Sequence, residues 1–258
     1  MRFGVWCLVL GALCVMAGCG KAPIERVEWP VMGTIAAVQT KGATAEETAK
    51  FARESKEAFA CVEKLLSAHD PNSELSRLAM FSEAEILERC DESVRPCYEM
   101  AFDLMRKSGG AFNPRWRGPE TLDMGAVAKG FAVDLAADAV KECYEKAGEN
   151  MPMMLIDLGG NLKAVKGAWT VGVKDGESFV LHEGEACATS ARYYRGDHIK
   201  DGRTGETVVN DIYSVTVIHP KSAMLADGLS TTLFILGREK GEEFLKKHYS
   251  DARAVWLP

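Results

Sequence analysis

The stretch "LDMGAVAKGFAVD", residues 122–134, lies where the sequence changes from helix-rich to strand-rich. Helical periodicity precedes it over residues 43–68 and 82–108, and the stretch leads into a predicted helix over 126–147. Runs typical of strands cover 27–40 before it and 153–165, 168–175, 178–184 and 212–220 after it. Two more helices (223–236 and 239–248) and a strand (252–257) complete the pattern. Helices segregated from mostly antiparallel strands predict an α+β fold.

The first residues, "MRFGVWCLVLGALCVMAGCGKAP", have the pattern of an export signal. The apolar run from Phe3 to Val15 is too short for a membrane span, which needs about 20 residues. Small residues before Cys19 resemble the lipobox of bacterial lipoproteins. We therefore predict a lipoprotein signal peptide over 1–18, lipidation of Cys19, a linker over 19–26 and one domain over 27–258. The protein would be exported and lipid-anchored to a membrane, facing the periplasm. An ordinary signal peptide with an incidental cysteine is the alternative.

The composition argues against several classes of function. The formal net charge is −6 and no basic stripe is present, so nucleic acid is not expected as a partner. The cysteines beyond Cys19 lack the C-x-x-C spacing of a zinc site; they are Cys61, Cys90, Cys97, Cys143 and Cys187. A disulfide between Cys90 and Cys97 is one option in an exported protein, and burial as small apolar side chains is the other.

Two charged residues and several small ones stand out in the stretch 122–134, called the opening stretch below. Asp123 precedes the predicted helix and Lys129 lies inside it, while Ala126 and Gly130 keep the surface low. Small residues let a flat ligand approach the backbone, and a helix N-terminus with a nearby lysine favours phosphate groups. The alternative is purely structural, with Asp123 as the helix N-cap and Lys129 extending into solvent.

The segment "ADGLSTTLFILG", residues 226–237, contains a second pair of polar residues. Asp227 and Thr231 are four positions apart, so both point the same way on a helix. A carboxylate, a hydroxyl, a main-chain carbonyl and water form a hard-oxygen set that suits Mg2+ better than zinc or copper. An Asp227 that only caps an apolar helix is the alternative.

Short segments rich in glycine, small residues and carboxylates occur in a fixed order along the chain. They are "VMGT" (31–34), "SAHDPNSELSR" (67–77), "GGAFNP" (109–114), the opening stretch, "IDLGGN" (156–161), "ATSARYYRGDHIKDGRTGE" (188–206) and "ADGLSTTLFILG" (226–237). In this order they resemble the motifs of the ApbE-type family of Mg2+-dependent FAD:protein FMN transferases. The resemblance implies a T-fold-like α+β architecture with a mostly antiparallel sheet. It also implies transfer of FMN from FAD to a threonine hydroxyl of a target protein with release of AMP, with Mg2+ as cofactor and FAD as substrate.

The resemblance further implies roles for individual residues. His198 matches a family histidine that exchanges a proton with the attacking hydroxyl, and its ordinary pKa of about 6.5 suits that role; a surface turn histidine is the alternative. Lys129 and Asp227 are the other predicted catalytic residues. The implied flavin contacts are Met32, Thr34, His69, Ala111, Phe112, Asn113, Asp123, Lys129, Ser190, His198 and Ile199. The implied metal ligands are the main-chain carbonyl of Ala126 and the side chains of Asp227, Ser230 and Thr231.

The sequence departs from the family pattern at three places. His69 stands where the family usually has tyrosine, and Asn113 replaces an acidic residue. Only nine residues, 114–122, separate the "GGAFN" turn from Asp123, where family members carry many more, so we expect a more open pocket. These departures leave two other functions open: an Mg2+-dependent FAD pyrophosphatase that gives FMN and AMP, and a non-catalytic FAD-binding lipoprotein. For a transferase, the resemblance and the lipid tether favour an acceptor on a membrane redox subunit.

Overall fold

The computed structural model describes residues 23–147, 150–173, 178–192 and 199–258. Cys19 and His198 lie outside the described residues. The strands are β1 (Ile24–Val31), β2 (Thr34–Lys41), β3 (Met153–Leu158), β4 (Asn161–Lys166), β5 (Trp169–Gly172), β6 (Ser178–Leu181), β7 (Ala186–Ala191), β8 (Ser214–His219) and β9 (Arg253–Leu257). The helices are α1 (Ala45–Leu66), α2 (Glu74–Leu78), α3 (Glu83–Arg89), α4 (Arg95–Lys107), α5 (Ala128–Ala147), α6 (Ala223–Leu236) and α7 (Arg238–His248).

One seven-stranded sheet organises the chain, in the order β1-β2-β3-β4-β7-β8-β9. Each neighbouring pair in it is antiparallel. The remaining two strands, β5 and β6, form a separate antiparallel hairpin inserted between β4 and β7. The predicted α+β class with a mostly antiparallel sheet is therefore confirmed.

The two faces of the sheet are covered differently. Helices α1, α5 and α6 lie next to one another, and their buried side chains form the main core with the sheet residues that face them. On the other face, Trp169 of β5 and Leu181 of β6 pack with Leu155 and Ile218 into a smaller apolar cluster. The helix-covered face matters for the site described below, because the first turn of α5 and one side of α6 line the cleft.

Local capping determines where the first helices begin. Thr44 accepts the N–H of Glu47 and the Glu47 carboxylate accepts the N–H of Thr44, which is a complete capping box at the start of α1. Ser82 and Glu85 form the same arrangement at the start of α3. The helical stretch predicted over 82–108, with an interruption near Pro96, consists of two helices: α3 ends at Arg89 and α4 starts at Arg95, with Pro96 in its first turn.

The structure also adds a strand, shortens the predicted linker and decides between the two alternatives for the cysteines. Strand β7 was not predicted, since its sequence "ACATSA" consists of small residues with low strand propensity. The predicted linker over 19–26 overlaps the sheet, because β1 begins at Ile24 and pairs with β2 from that residue. Cys90 and Cys97 are both free and buried, so the apolar alternative holds for them. Among the described residues, no helix is long and apolar enough to cross a membrane.

Candidate functional site

A cleft of about 790 Å³ opens where the β1–β2 and β3–β4 turns, the end of β7, the first turn of α5 and one side of α6 meet. This volume lies within the range of small-molecule sites. Most of the predicted site residues line it: Thr34, His69, Phe112, Asn113, Asp123, Ala126, Lys129, Ser190, Ile199, Asp227 and Thr231. The two acidic residues predicted to meet, Asp123 and Asp227, are therefore brought to one cleft although they lie on distant parts of the chain.

Asp123 organises the turn that leads into α5. Its Oδ1 accepts the N–H of Gly125 at 2.9 Å, and its Oδ2 accepts the indole N–H of Trp116 at 3.2 Å. The guanidinium of Arg117 lies 3.5 Å from the same Oδ2. The assigned helix α5 begins at Ala128, so Asp123 fixes the turn that leads into it.

Lys129 turns into the cleft instead of extending into solvent. Its Nζ donates to the carbonyl of Gly125 at 2.8 Å and lies 3.6 Å from Oδ2 of Asp227. The same Oδ2 accepts the main-chain N–H of Gly130 at 3.0 Å. Burial raises the pKa of Asp227, while Lys129 and the Gly130 N–H oppose that rise because they favour the carboxylate. The cleft thus contains a buried acid held against a cation.

Gly130 allows helices α5 and α6 to approach each other closely. A Cβ atom at this position would lie 2.2 Å from the carbonyl oxygen of Ala223, well inside any real contact. Because Gly130 has no side chain, the first turn of α6 can pack directly against α5. At this distance the Asp227 carboxylate accepts a hydrogen bond from the Gly130 N–H. This crossing explains why a glycine occupies the first turn of α5.

Asp134 fastens the same crossing one turn further along α5. Its Oδ1 accepts the N–H of Ala223 at 2.9 Å, and its Oδ2 accepts the N–H of Met224 at 3.0 Å and the hydroxyl of Ser222 at 2.8 Å. The buried ammonium of Lys163 on β4 donates to Oδ1 at 2.6 Å. A carboxylate at a helix N-terminus pairs with its unsatisfied N–H groups and with the helix dipole. Gly130, Asp134 and Asp227 with their α6 partners are called the helix junction below.

Three hydroxyls stand beside Asp227. The Oγ of Ser190 lies 2.9 Å from that of Ser230 and 3.2 Å from Oγ1 of Thr231. The Ser230 hydroxyl also donates to the main-chain carbonyl of Asp227 at 2.9 Å. Ser230 is thus committed to internal hydrogen bonds, whereas Thr231 lines the cleft with Asp227.

The donor set fits a hard divalent cation better than a soft one. Asp227, Thr231 and Ala126 line the cleft together and offer a carboxylate, a hydroxyl and a main-chain carbonyl. Groups of three or more His, Cys, Asp or Glu side chains that could hold a metal are absent from the described part of the chain. Oxygen ligands completed by water suit Mg2+, and zinc or copper would need nitrogen or sulfur.

Three predicted contacts do not present their side chains to the cleft. Met32 forms the β1–β2 turn with a φ of 49°, and its N–H donates to the Glu63 carboxylate at 3.1 Å. Ala111 is buried, and its carbonyl accepts the N–H of Gly202 at 2.9 Å. Ser230 is buried beneath Asp227. The backbone around these residues shapes the site, but their side chains pack or bond elsewhere.

Several lining residues were not predicted from the sequence as site residues. They are Gly33, Ile35, Trp116, Arg117, Gly125, Gly159, Gly160, Asn161, Thr189, Ala191, Lys200 and Ile235. Asn161 was detectable, because it ends the "IDLGGN" motif. Its Nδ2 donates to the Leu158 carbonyl at 3.2 Å, while its buried Oδ1 has no partner among the described residues. An unpartnered buried acceptor on a cleft residue agrees with a site built for a ligand that donates hydrogen bonds.

Residues 114–122, called the short loop below, are tied to the neighbouring segment by the side chain of Arg115. The Arg115 guanidinium donates to the carbonyls of Ala79 at 2.6 Å and Phe81 at 2.5 Å, and also to those of Pro119 and Thr121. The loop closes on itself, since the N–H of Asp123 donates to the carbonyl of Pro114 at 2.8 Å. Trp116 and Arg117 project from it along the cleft. The short loop therefore forms one wall of the cleft, although it has few residues.

Known proteins resemble this chain in sequence over about half of its length. A FAD:protein FMN transferase from Klebsiella pneumoniae is 36% identical over 151 residues, which are 53% of this chain and 45% of that protein. The protein of the same name from Vibrio cholerae is 31% identical over 141 residues, or 46% of this chain and 40% of the relative. The aligned part of this chain thus spans less than half the length of these curated relatives.

Solved structures resemble the chain over nearly its whole length. The apo form of Pseudomonas stutzeri flavinyl transferase ApbE has a TM-score of 0.74 at 20% identity and covers 93% of this chain and 92% of that one. The flavin transferase ApbE of Vibrio cholerae has a TM-score of 0.69 at 22% identity over 91% of this chain and 94% of the other. These likenesses show the fold.

The family assignment follows from the sequence profile of the ApbE family, which matches residues 115–256. The match includes the start of α5, the helix junction, β7 and α6, and covers more than half of the 258 residues. This chain belongs to the ApbE family.

Proposed function

We propose that the protein transfers FMN from FAD to a threonine hydroxyl of a target protein and releases AMP. The observation that carries the proposal is the meeting of Asp123, Lys129 and Asp227 with Thr231 in one cleft. Relatives named FAD:protein FMN transferase, among them one at 36% identity, support the same chemistry.

The chain's own groups suit a diphosphate ester. Lys129 and Arg117 bring positive charge to the cleft, and α5 directs its N-terminus to the same place. Helix N-termini and lysine both favour phosphate oxygens, and glycine-lined turns let the backbone approach the ligand. Gly33, Gly159 and Gly160 supply such turns.

Asp227, Thr231 and the carbonyl of Ala126 are the residues that would hold Mg2+. A bound Mg2+ offsets negative charge on the phosphoryl oxygens and on the leaving phosphate. Lys129 favours the ionised form of Asp227 and so opposes the effect of burial on its pKa. The Gly130 N–H donates to one carboxylate oxygen and fixes its position. Ser190 and Ser230 hold the Thr231 region through hydroxyl contacts.

In the proposed reaction the threonine oxygen attacks the phosphorus on the FMN side of the diphosphate. A new O–P bond joins FMN to the threonine, the bond from that phosphorus to the bridging oxygen breaks, and AMP leaves with that oxygen. The threonine proton passes to a base. His198 is the sequence-based candidate for this base and lies outside the described residues, so its role stays a prediction.

One observation keeps FAD hydrolysis as a second candidate. His69 lines the cleft and is exposed, so water reaches this edge of the site. Water in place of the threonine would give free FMN and AMP. Pure FAD storage is less favoured, because a lysine held against a buried aspartate beside hydroxyl and carbonyl oxygens serves reaction chemistry more directly than ring binding.

One assay separates the three functions. The purified protein is incubated with FAD and Mg2+, with and without an acceptor domain bearing a threonine and with a Thr→Ala acceptor as matched control. We expect AMP and in-gel flavin fluorescence only with the threonine acceptor. AMP and free FMN without any acceptor would indicate the pyrophosphatase, and FAD binding without AMP would indicate storage.

Cellular context is proposed from sequence only. Lipidation of Cys19, a periplasmic location and an acceptor on a membrane redox subunit form one scheme, in which the tether keeps the enzyme near its target. Cys19 lies outside the described residues. Globomycin-sensitive processing and loss of membrane association in Cys19→Ala would support the scheme, and unchanged membrane association would contradict it.

A further inference from the structure

Trp116 is an aromatic side chain in the cleft that nothing in the proposed chemistry yet uses. It lies in the short loop, its ring is partly buried, and it lines the same cleft as Asp123 and His69. Other tryptophans in the described residues have structural surroundings. Trp29 stacks on Phe59, and Trp169 packs on the sheet face opposite the helices.

The indole is fixed in place from two sides. Its N–H donates to Oδ2 of Asp123 at 3.2 Å, and the Arg117 guanidinium carbon lies 4.6 Å from its ring centroid. Arg117 also reaches the Asp123 carboxylate at 3.5 Å. These three residues thus form one cluster in which the carboxylate orients the ring and balances the charge of the arginine. A ring that is already oriented loses little conformational entropy when a ligand binds to it.

The loop beneath the ring is also fixed. Arg115 ties it to the carbonyls of Ala79 and Phe81 across to the segment that follows α2. Within the loop, the N–H of Trp116 donates to the carbonyl of Asn113 at 3.2 Å. The main chain that bears the indole is therefore fixed by hydrogen bonds.

We propose that Trp116, oriented by Asp123 and flanked by Arg117, is the stacking surface for one planar ring of the bound flavin dinucleotide. The proposal rests on the proposed function for the identity of the ligand and deepens it by naming a specificity residue. FAD has two planar heteroaromatic rings, and either would stack on an indole. Because the Arg117 guanidinium already lies over one face of the indole, the ligand ring would stack on the other face.

Binding without turnover tests this directly. Tryptophan fluorescence is titrated with FAD in Mg2+-free buffer, for the unchanged protein, Trp116→Ala, Trp116→Phe and the control Trp256→Phe. Trp256 lies on β9 and packs against Gly241, away from the cleft. Stacking of one base is worth enough that Trp116→Ala should weaken FAD binding about tenfold or more. Trp116→Phe keeps a ring and should bind more tightly than the alanine variant.

The ring that stacks is identified by repeating the titrations with FMN and with ADP. A loss confined to FMN and FAD assigns the flavin ring, and a loss confined to ADP and FAD assigns the adenine. Thermal unfolding of each variant checks that the fold is retained. If Trp116→Ala unfolds, the test uses Trp116→Phe: the fraction of tryptophan fluorescence that FAD quenches in this variant is compared with that in the unchanged protein.

The outcomes separate the two proposals. If both Trp116 variants bind FAD with unchanged affinity, and FAD quenches the same fraction of their tryptophan fluorescence as in the unchanged protein, the stacking role is overturned. The transferase proposal is not affected by that result. Absence of saturable FAD binding in the unchanged protein overturns both. Weaker binding by Trp116→Ala together with no flavin transfer to any acceptor supports the stacking role while the transferase proposal fails.

Discussion

The cleft has two walls that are built in contrasting ways. At the helix junction, two long helices touch through a glycine, and a carboxylate binds the N–H groups that begin α6. The short loop has no regular structure; the guanidinium of Arg115, bonded to four carbonyls, is its link to the segment after α2, and a few hydrogen bonds close the loop on itself. The first wall is held by contacts between two long helices, and the second by one side chain and the local bonds of the loop. Damage to the first should therefore spread through the fold, whereas damage to the second should stay local.

The largest expected effect is on catalysis at the helix junction. Asp227→Asn keeps an oxygen for the Gly130 N–H but removes the charge that a metal needs. Because metal stabilisation of transition-state charge is worth several kcal/mol, we expect Mg2+-dependent AMP release to fall about a thousandfold. The control is Asp138→Asn, an exposed carboxylate on α5. A turnover rate equal to that of the unchanged protein would remove Asp227 from the metal site.

The next effect is on stability at the same wall. Asp134→Ala leaves the Lys163 ammonium buried without its carboxylate and frees the N–H groups of Ala223 and Met224. We expect the free energy of unfolding to drop by about 3–5 kcal/mol, as for other broken buried pairs. Chemical denaturation measures this loss. The double variant Asp134→Ala/Lys163→Met should recover part of it, and no recovery would mean that the unpaired charge is not the cause.

Gly130→Ala tests the contact between the helices. The added Cβ meets main-chain atoms of Ala223 and Met224, which cannot rotate away, so α6 must move. Overpacking of this kind costs about 3 kcal/mol of unfolding free energy. Gly172→Ala is the matched control, since no atom of the part of the chain that the structure describes lies within 4 Å of a Cβ there. Equal stabilities of the two variants would contradict the close crossing.

The smallest effect is expected at the short loop. Arg115→Met removes the bonds to four carbonyls, most of which water then satisfies, so the loss should be about 1–2 kcal/mol. Hydrogen exchange should increase over residues 114–122 and stay unchanged in α5 and α6. Arg238→Met, at an exposed pair with Glu242, is the control. Faster exchange throughout α5 would show that the two walls are not independent.

Regular periodicity made much of the fold predictable. The apolar face of α1, the long helix after the opening stretch and the buried strand β8 follow from residue spacing alone. Strand β7 does not follow from spacing, because its small residues have little intrinsic strand preference. They form a strand because they pair with β4 and β8 and pack against α6.

The site was predictable where it lies in ordered motifs and not where it depends on contacts distant in the chain. Asp123, Lys129, Asp227 and Thr231 could be chosen from their spacing and the family resemblance. Neither Asp134 nor Trp116 could, since each acquires its role from partners that the fold supplies: the α6 N-terminus for the first and the Asp123 carboxylate for the second.

The hydrogen bond between the N–H of Asp123 and the carbonyl of Pro114 has a consequence for changes in the length of the short loop. It holds the two ends of the segment between them close together, so an inserted stretch would start and end at neighbouring points. The entropy of closing such a stretch grows slowly with its length. A longer or shorter segment would therefore leave the helix junction in register.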